Sequence, residues 1–187
     1  MSVMLSPATG WLARSAARRL VSYPAPEQPA AEPSTAIVCG YGRVGEAVCA
    51  ALEKAGIRFV VVDDQAEIVR GLRQRGVDAL LGDAAQPSIL DRAGVAAARL
   101  VVIAVPGAHD ARAILDHASS AAPRARIVVR THSLPEHEAV RRRGAWRAFV
   151  GEVELARSMA RASLSALDVP AERADAIASE LAGEPAG

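Results

Sequence analysis

The ten residues Ala36-Ile37-Val38-Cys39-Gly40-Tyr41-Gly42-Arg43-Val44-Gly45 decide the fold. A short apolar run closes on glycines spaced G-x-G-x-x-G, and an Ala-rich stretch with helical spacing opens behind them. That order of strand, glycine turn and helix is what lifts the pattern above a bare glycine match. The first glycine permits a tight turn, and the second lets the backbone approach a pyrophosphate. The third lets helix and strand pack closely, while the helix N-terminus supplies unpaired N–H donors.

Outward from this loop, Arg58–Val62 reads as a second strand, and Asp63 ends it eighteen residues beyond Gly45. A carboxylate at that distance accepts hydrogen bonds from the adenosine ribose hydroxyls and repels a 2′-phosphate. Asp64 adds a second acidic neighbour. NAD(H), AMP, ADP or ATP are therefore favoured over NADP(H). The plain alternative is a Rossmann turn whose site is empty. Arg43 either touches phosphate or faces solvent.

The rest of the pattern repeats the first unit. Further strands are expected at Ala79–Leu81, Leu100–Val105 and Ile127–Arg130, with a weaker sixth near Ala148–Val150. Helices are expected at Val44–Ala55, Ala66–Arg75, Ser88–Ala93, Ala108–Ser120 and Pro135–Arg143, four of them followed by Gly56, Gly76, Gly94 and Gly144 as C-terminal caps. Short apolar strands alternating with helices predict a Rossmann-like, doubly wound parallel sheet with helices on both faces. Two more helices, Glu152–Leu167 and Pro170–Leu181, follow the sheet and offer a dimer or docking face.

Three regions result. Residues 1–34 form a basic leader and a Pro-rich linker, YPAPEQPAAEPS from Tyr23 to Ser34, in which Leu5–Val21 carries Trp11, Leu12 and Leu20 with Arg14, Arg18 and Arg19. That stretch is either a membrane-surface helix or a frayed linker. Residues 35–150 form the nucleotide-binding domain, and residues 151–187 a helical extension.

Composition bounds the function. Among the 187 residues, 51% are hydrophobic and 23% charged, enough for a real core, while 3% aromatics leave that core to Val, Leu, Ile and Ala. A net charge of +1 argues against a general nucleic-acid binder, and Arg141–Arg143 is read as a solvated helix end. Cys39 and Cys49 fit neither a disulfide framework nor a zinc pair. Cys39 is read as core, and both suit a reducing cytoplasm. No apolar run nears the roughly 20 residues of a membrane span, so the chain reads as soluble.

Catalytic machinery is hard to find. Lys54 is the one lysine and forms no Tyr-x-x-x-Lys pair with Tyr23 or Tyr41. His109, His117, His132 and His137 show no metal-ligand spacing. Arg130 and His132 follow the fifth strand at the edge where α/β folds bind ligands, so contact with phosphate or ribose competes there with an ordinary exposed loop histidine. A non-enzymatic binding domain is expected. The rivals are a small NAD-dependent oxidoreductase and an interaction module with a vestigial nucleotide site.

The segments GYGRVG (Gly40–Gly45), VVVDD (Val60–Asp64), RGVDALLGDA (Arg75–Ala84), VVIAVPG (Val101–Gly107) and GEVELARSMA (Gly151–Ala160) together resemble the RCK N-terminal, or TrkA-N, domain, particularly the cytoplasmic tails of Kef-type and YbaL-like cation:proton antiporters. The resemblance covers Ala36 to Leu167. It implies a homodimer that binds NAD(H) or an adenine nucleotide and regulates potassium or other monovalent cation transport. It implies placement at the inner face of the plasma membrane through a transporter, in cis as a tail or in trans as a subunit. Carried over by position, Gly40, Tyr41, Gly42, Arg43, Val44 and Gly45 would hold phosphates, and Asp63 with Asp64 the ribose. Gly82, Asp83 and Ala84 would lie beside the adenine, and Val105 and Pro106 would line the other half of the cleft.

Overall fold

The computed structural model describes residues 35–181. The leader and the Pro-rich linker lie outside the described residues. Six strands form one parallel sheet: β1 (Ala36–Cys39), β2 (Phe59–Asp63), β3 (Ala79–Leu81), β4 (Leu100–Ile103), β5 (Arg126–Thr131) and β6 (Arg147–Val150). Their order across the sheet is β3-β2-β1-β4-β5-β6. β1 therefore lies at the centre, bonded in register to β2 on one side (Ile37 opposite Val60) and to β4 on the other (Ile37 opposite Val101). Chain direction across the sheet reverses between β1 and β4, the switch point at which open α/β sheets form a crevice at their carboxyl edge.

The central strand is apolar throughout because both its faces are covered; all four of its residues are fully buried. Alternation sends Ala36 and Val38 to one face, where they meet α1 (Arg43–Lys54) and α2 (Ala66–Gln74). Ile37 and Cys39 go to the other face, against α3 (Pro87–Arg92), α4 (Ala108–Ala121) and Val140 of α5 (Leu134–Arg142). The helices bury apolar residues at helical spacing: Gly45, Cys49 and Leu52 in α1, and Ala111, Ile114, Leu115 and Ala118 in α4. The four glycines expected as caps do take positive φ.

β4 stops at Ile103, two residues short of the expected Val105. Its neighbour β1 has ended at Cys39, whose carbonyl accepts a last bond from the Ala104 N–H (2.8 Å), and Pro106 has no N–H to offer a ladder. The helices beyond the sheet are α6 (Gly151–Ser165) and α7 (Ala171–Leu181), which pack against one another.

Candidate nucleotide site

Two glycines of the loop are held to glycine by close neighbours, and the third faces open space. Gly40 turns at φ +92°, and a Cβ there would stand 3.2 Å from the Ala104 carbonyl carbon and the Val105 nitrogen, so the loop passes tightly across the end of β4. A Cβ on Gly45 would overlap the Gly40 carbonyl oxygen at 1.9 Å; α1 rests directly on the loop. At Gly42 no atom beyond its chain neighbours lies within 4 Å of that position. The space a phosphate would approach is open there.

Gly42 is also the N-cap of α1, in extended geometry and with no side-chain cap. The first intrahelical bond runs from Glu46 N–H to the Gly42 carbonyl (2.8 Å), so the N–H groups of Arg43, Val44 and Gly45 have no acceptor within their helix. Together with the helix dipole they favour an anion. Arg43 and Val44 are exposed.

Asp63 is 7% exposed at the end of β2. Its Oδ2 accepts from the Tyr41 N–H (2.7 Å) and its Oδ1 from the Gln65 N–H (2.9 Å). The carboxylate thus braces the glycine loop from below, and each oxygen keeps further lone-pair capacity for an incoming hydroxyl. Its backbone carbonyl accepts from the Gly82 N–H (3.0 Å), which ties the end of β3 to the same corner. Asp64 is exposed.

The expected residues therefore fall into one group and a looser fringe. Tyr41 N–H donates to the Asp63 carboxylate, Gly82 N–H to the Asp63 carbonyl and Gly40 N–H to the adjoining Val62 carbonyl, while Val105 lies against Gly40. Asp83 is exposed and accepts from the Ala85 N–H (2.8 Å), whereas the Ala84 methyl is packed into the core. Pro106 is exposed at the carboxyl edge. A cleft opens further along that edge, lined by Val105, Gly107, Ala111, Arg130, His132 and Glu136.

Three contributors escaped the sequence reading. Arg75, at the end of α2, donates to the Tyr41 hydroxyl (2.9 Å) and stands 6.0 Å from its ring centre, steadying a loop residue 34 positions away. Gln65 satisfies the second oxygen of Asp63 through its backbone. Ser133 and Glu136 form a capping box shifted by one residue at α5: the Ser133 hydroxyl accepts from Glu136 N–H (3.3 Å), and the Glu136 carboxylate accepts from His132 N–H (2.9 Å), just before the N-cap. The S-x-x-E spacing was a readable signal for the last; no local signal marks the other two.

Burial pushes both cysteine thiols up to about 12, so neither is a thiolate near neutrality. Among the described residues, no group of three or more His, Cys, Asp or Glu side chains could hold a metal ion, and no helix is long and apolar enough to cross a membrane.

Residues 36–150 match the TrkA-N domain family. The chain belongs to that family. It is 35% identical over 124 residues, 66% of its length, to YbaL of Escherichia coli K12, named as a cation/proton antiporter. The chain spans 22% of that relative's length. The crystal structure of the TrkA-N domain of the inner membrane protein YbaL superposes with a TM-score of 0.66 at 34% identity, covering 68% of this chain and 95% of that one. Two structures share the fold at lower identity. The AMP-bound C-terminal domain of a Shewanella denitrificans Kef protein has a TM-score of 0.68 at 24% identity, covering 79% of this chain and 90% of its own. The GsuK channel bound to NAD has a TM-score of 0.63 at 22% identity, covering 82% and 28%. The domain is a Rossmann-like TrkA-N domain, and the solved structures that share its fold include an AMP-bound Kef domain and an NAD-bound channel.

Proposed function

We propose that this domain binds an adenine nucleotide, AMP, ADP, ATP or NAD(H), across Gly40–Gly45 and Asp63, and that occupancy regulates a monovalent-cation transporter. The observation that carries the reading is the open approach at Gly42 beside an uncapped helix N-terminus, with a buried carboxylate one strand away. The phosphate takes the N–H groups of Arg43 to Gly45, and the ribose hydroxyls take the free lone pairs of Asp63. Asp63 and Asp64 together repel the extra phosphate of NADP(H). The Gly82–Ala84 corner borders the base, and Val105 and Pro106 border whatever lies beyond the first phosphate. The role is binding rather than catalysis. Occupancy shifts the population of two domain states, and the transporter, in cis or in trans at the inner face of the plasma membrane, reads the difference.

The test is calorimetric titration of the full chain with AMP, ADP, ATP, NAD, NADH and NADPH, repeated on Asp63→Ala. Binding of at least one ligand with a free 2′-hydroxyl, weak binding of NADPH, and loss in the variant are expected. Silence with every ligand overturns the reading.

The partner reading is a homodimer built on α6. None of its residues is buried in the single chain, Leu155 and Met159 are 60% and 61% exposed, and Phe149 at the neighbouring strand is 38% exposed. Sedimentation equilibrium should give a dimer that Leu155→Glu/Met159→Glu converts to monomer; a monomeric parent chain removes this part of the proposal.

A further inference from the structure

The charges of the domain are sorted by sheet edge. At the amino edge, where helices end and strands begin, residues 53–59, 73–79, 91–100, 121–126 and 141–147 carry twelve Arg and Lys against three carboxylates. At the carboxyl edge, residues 39–46, 63–69, 81–90, 103–111, 130–137 and 150–154 carry two against nine. A net charge near zero conceals this separation. Cations in the last turns of helices complement the dipole and account for part of it. Arg58, Arg99, Arg126 and Arg147 are not in helices; they stand at or just before the starts of strands.

Backbone bonds string these arginines along one line. The N–H groups of Thr35 and Ala36 donate to the Arg58 carbonyl (3.1 and 3.2 Å), and Arg99 N–H donates to the Thr35 carbonyl (2.9 Å). Arg126 N–H donates to the Arg99 carbonyl (2.9 Å), and Trp146 N–H, beside Arg147, to that of Ile127 (2.8 Å). With neighbouring strands about 4.8 Å apart, the row crosses β2-β1-β4-β5-β6 in roughly 20 Å. All four side chains are exposed, and none has an ion-pair partner among the described residues.

Two apolar side chains stand in the same row. Trp146 is 46% exposed, with the guanidinium groups of Arg126 and Arg147 at 4.8 and 5.6 Å from its ring centre. Ile57, next to Arg58, is 38% exposed. An aromatic ring set among arginines on a flat edge suits the headgroup layer of a bilayer, where amphipathic rings settle and cations meet anionic lipid. Residues 1–34 join the domain at Thr35, in the middle of this row.

We propose that the amino edge of the sheet is a docking face for an anionic phospholipid surface, with Trp146 as its interfacial anchor and Arg58, Arg99, Arg126 and Arg147 as its cations. The acidic carboxyl edge, repelled by the same surface, turns away from it, so the glycine loop faces the aqueous side. This assignment rests on the edge itself and stands whether or not a nucleotide binds.

The test uses the full chain carrying Trp11→Phe, which leaves Trp146 as its single tryptophan. The protein is mixed with vesicles of phosphatidylcholine, with and without phosphatidylglycerol, and followed by co-sedimentation and tryptophan emission. Sedimentation with phosphatidylglycerol vesicles alone is expected, with a blue shift of Trp146 and weakening as salt is raised. Arg58→Glu/Arg126→Glu/Arg147→Glu should lower the affinity roughly a hundredfold. Equal partition onto both vesicles, unshifted emission from bound protein, or undiminished binding by the triple variant overturns the proposal. So does a single-stranded oligonucleotide that displaces the vesicles and shifts Trp146 itself, which would assign the edge to nucleic acid.

Discussion

Helices α1 and α5 both begin at the carboxyl edge of the sheet, and they treat their first N–H groups in opposite ways. α1 starts on Gly42, with no side chain to cap it and open space in front. α5 starts on Ser133, whose hydroxyl takes the Glu136 N–H while the Glu136 carboxylate reaches back to His132. One helix end is capped by its own side chains, and the other is not. The fold does not dictate the difference, since both ends follow a strand of the same parallel sheet. Side-chain choice at the cap does.

The strongest way to break the comparison is to spoil the packing that holds α1 in place. Gly45→Ala would drive a methyl into the Gly40 carbonyl, a backbone atom that can retreat only by moving the loop, and should lower unfolding free energy by about 3 kcal/mol. Urea denaturation reads this directly, and an unchanged midpoint would mean that α1 can slide off the loop.

A sharper change makes α1 resemble α5. Gly42 already has the extended geometry of a capped N-terminus, so Gly42→Asp supplies a carboxylate to the open N–H groups and opposes an incoming phosphate. Nucleotide affinity should fall roughly a hundredfold while stability holds or rises by a few tenths of a kcal/mol. Full binding by this variant would place the phosphate elsewhere. The smallest effect belongs to the other helix: Ser133→Ala removes one half of the capping box and should cost about 1 kcal/mol in denaturation, with no change in nucleotide titration. A change in titration would link the two helix ends.

The part of the site that is local in sequence was legible. Residues 36–45 form strand, loop and helix N-terminus in the expected order, and Asp63 closes β2 where a ribose carboxylate would stand. What could not be read depends on neighbours supplied by the fold. Tyr41 and Arg75 meet because α2 ends beside the glycine loop, and nothing near either residue announces the pairing. The premature end of β4 is set by where β1 stops rather than by the Val-Ile-Ala-Val run itself. The arginine row is invisible in one dimension: its members stand at the starts of four different strands and become neighbours only through the strand order. The Ser133 cap is a different lapse, since its spacing was on view.

Thr35 enters the sheet at its central strand, bonded to the flanks of both β2 and β4. A pull transmitted along residues 1–34 would therefore load two hydrogen-bonded ladders at once, in shear along their length, instead of peeling an outer strand one bond at a time. Displacement of Thr35 would bear on the strand that carries the glycine loop.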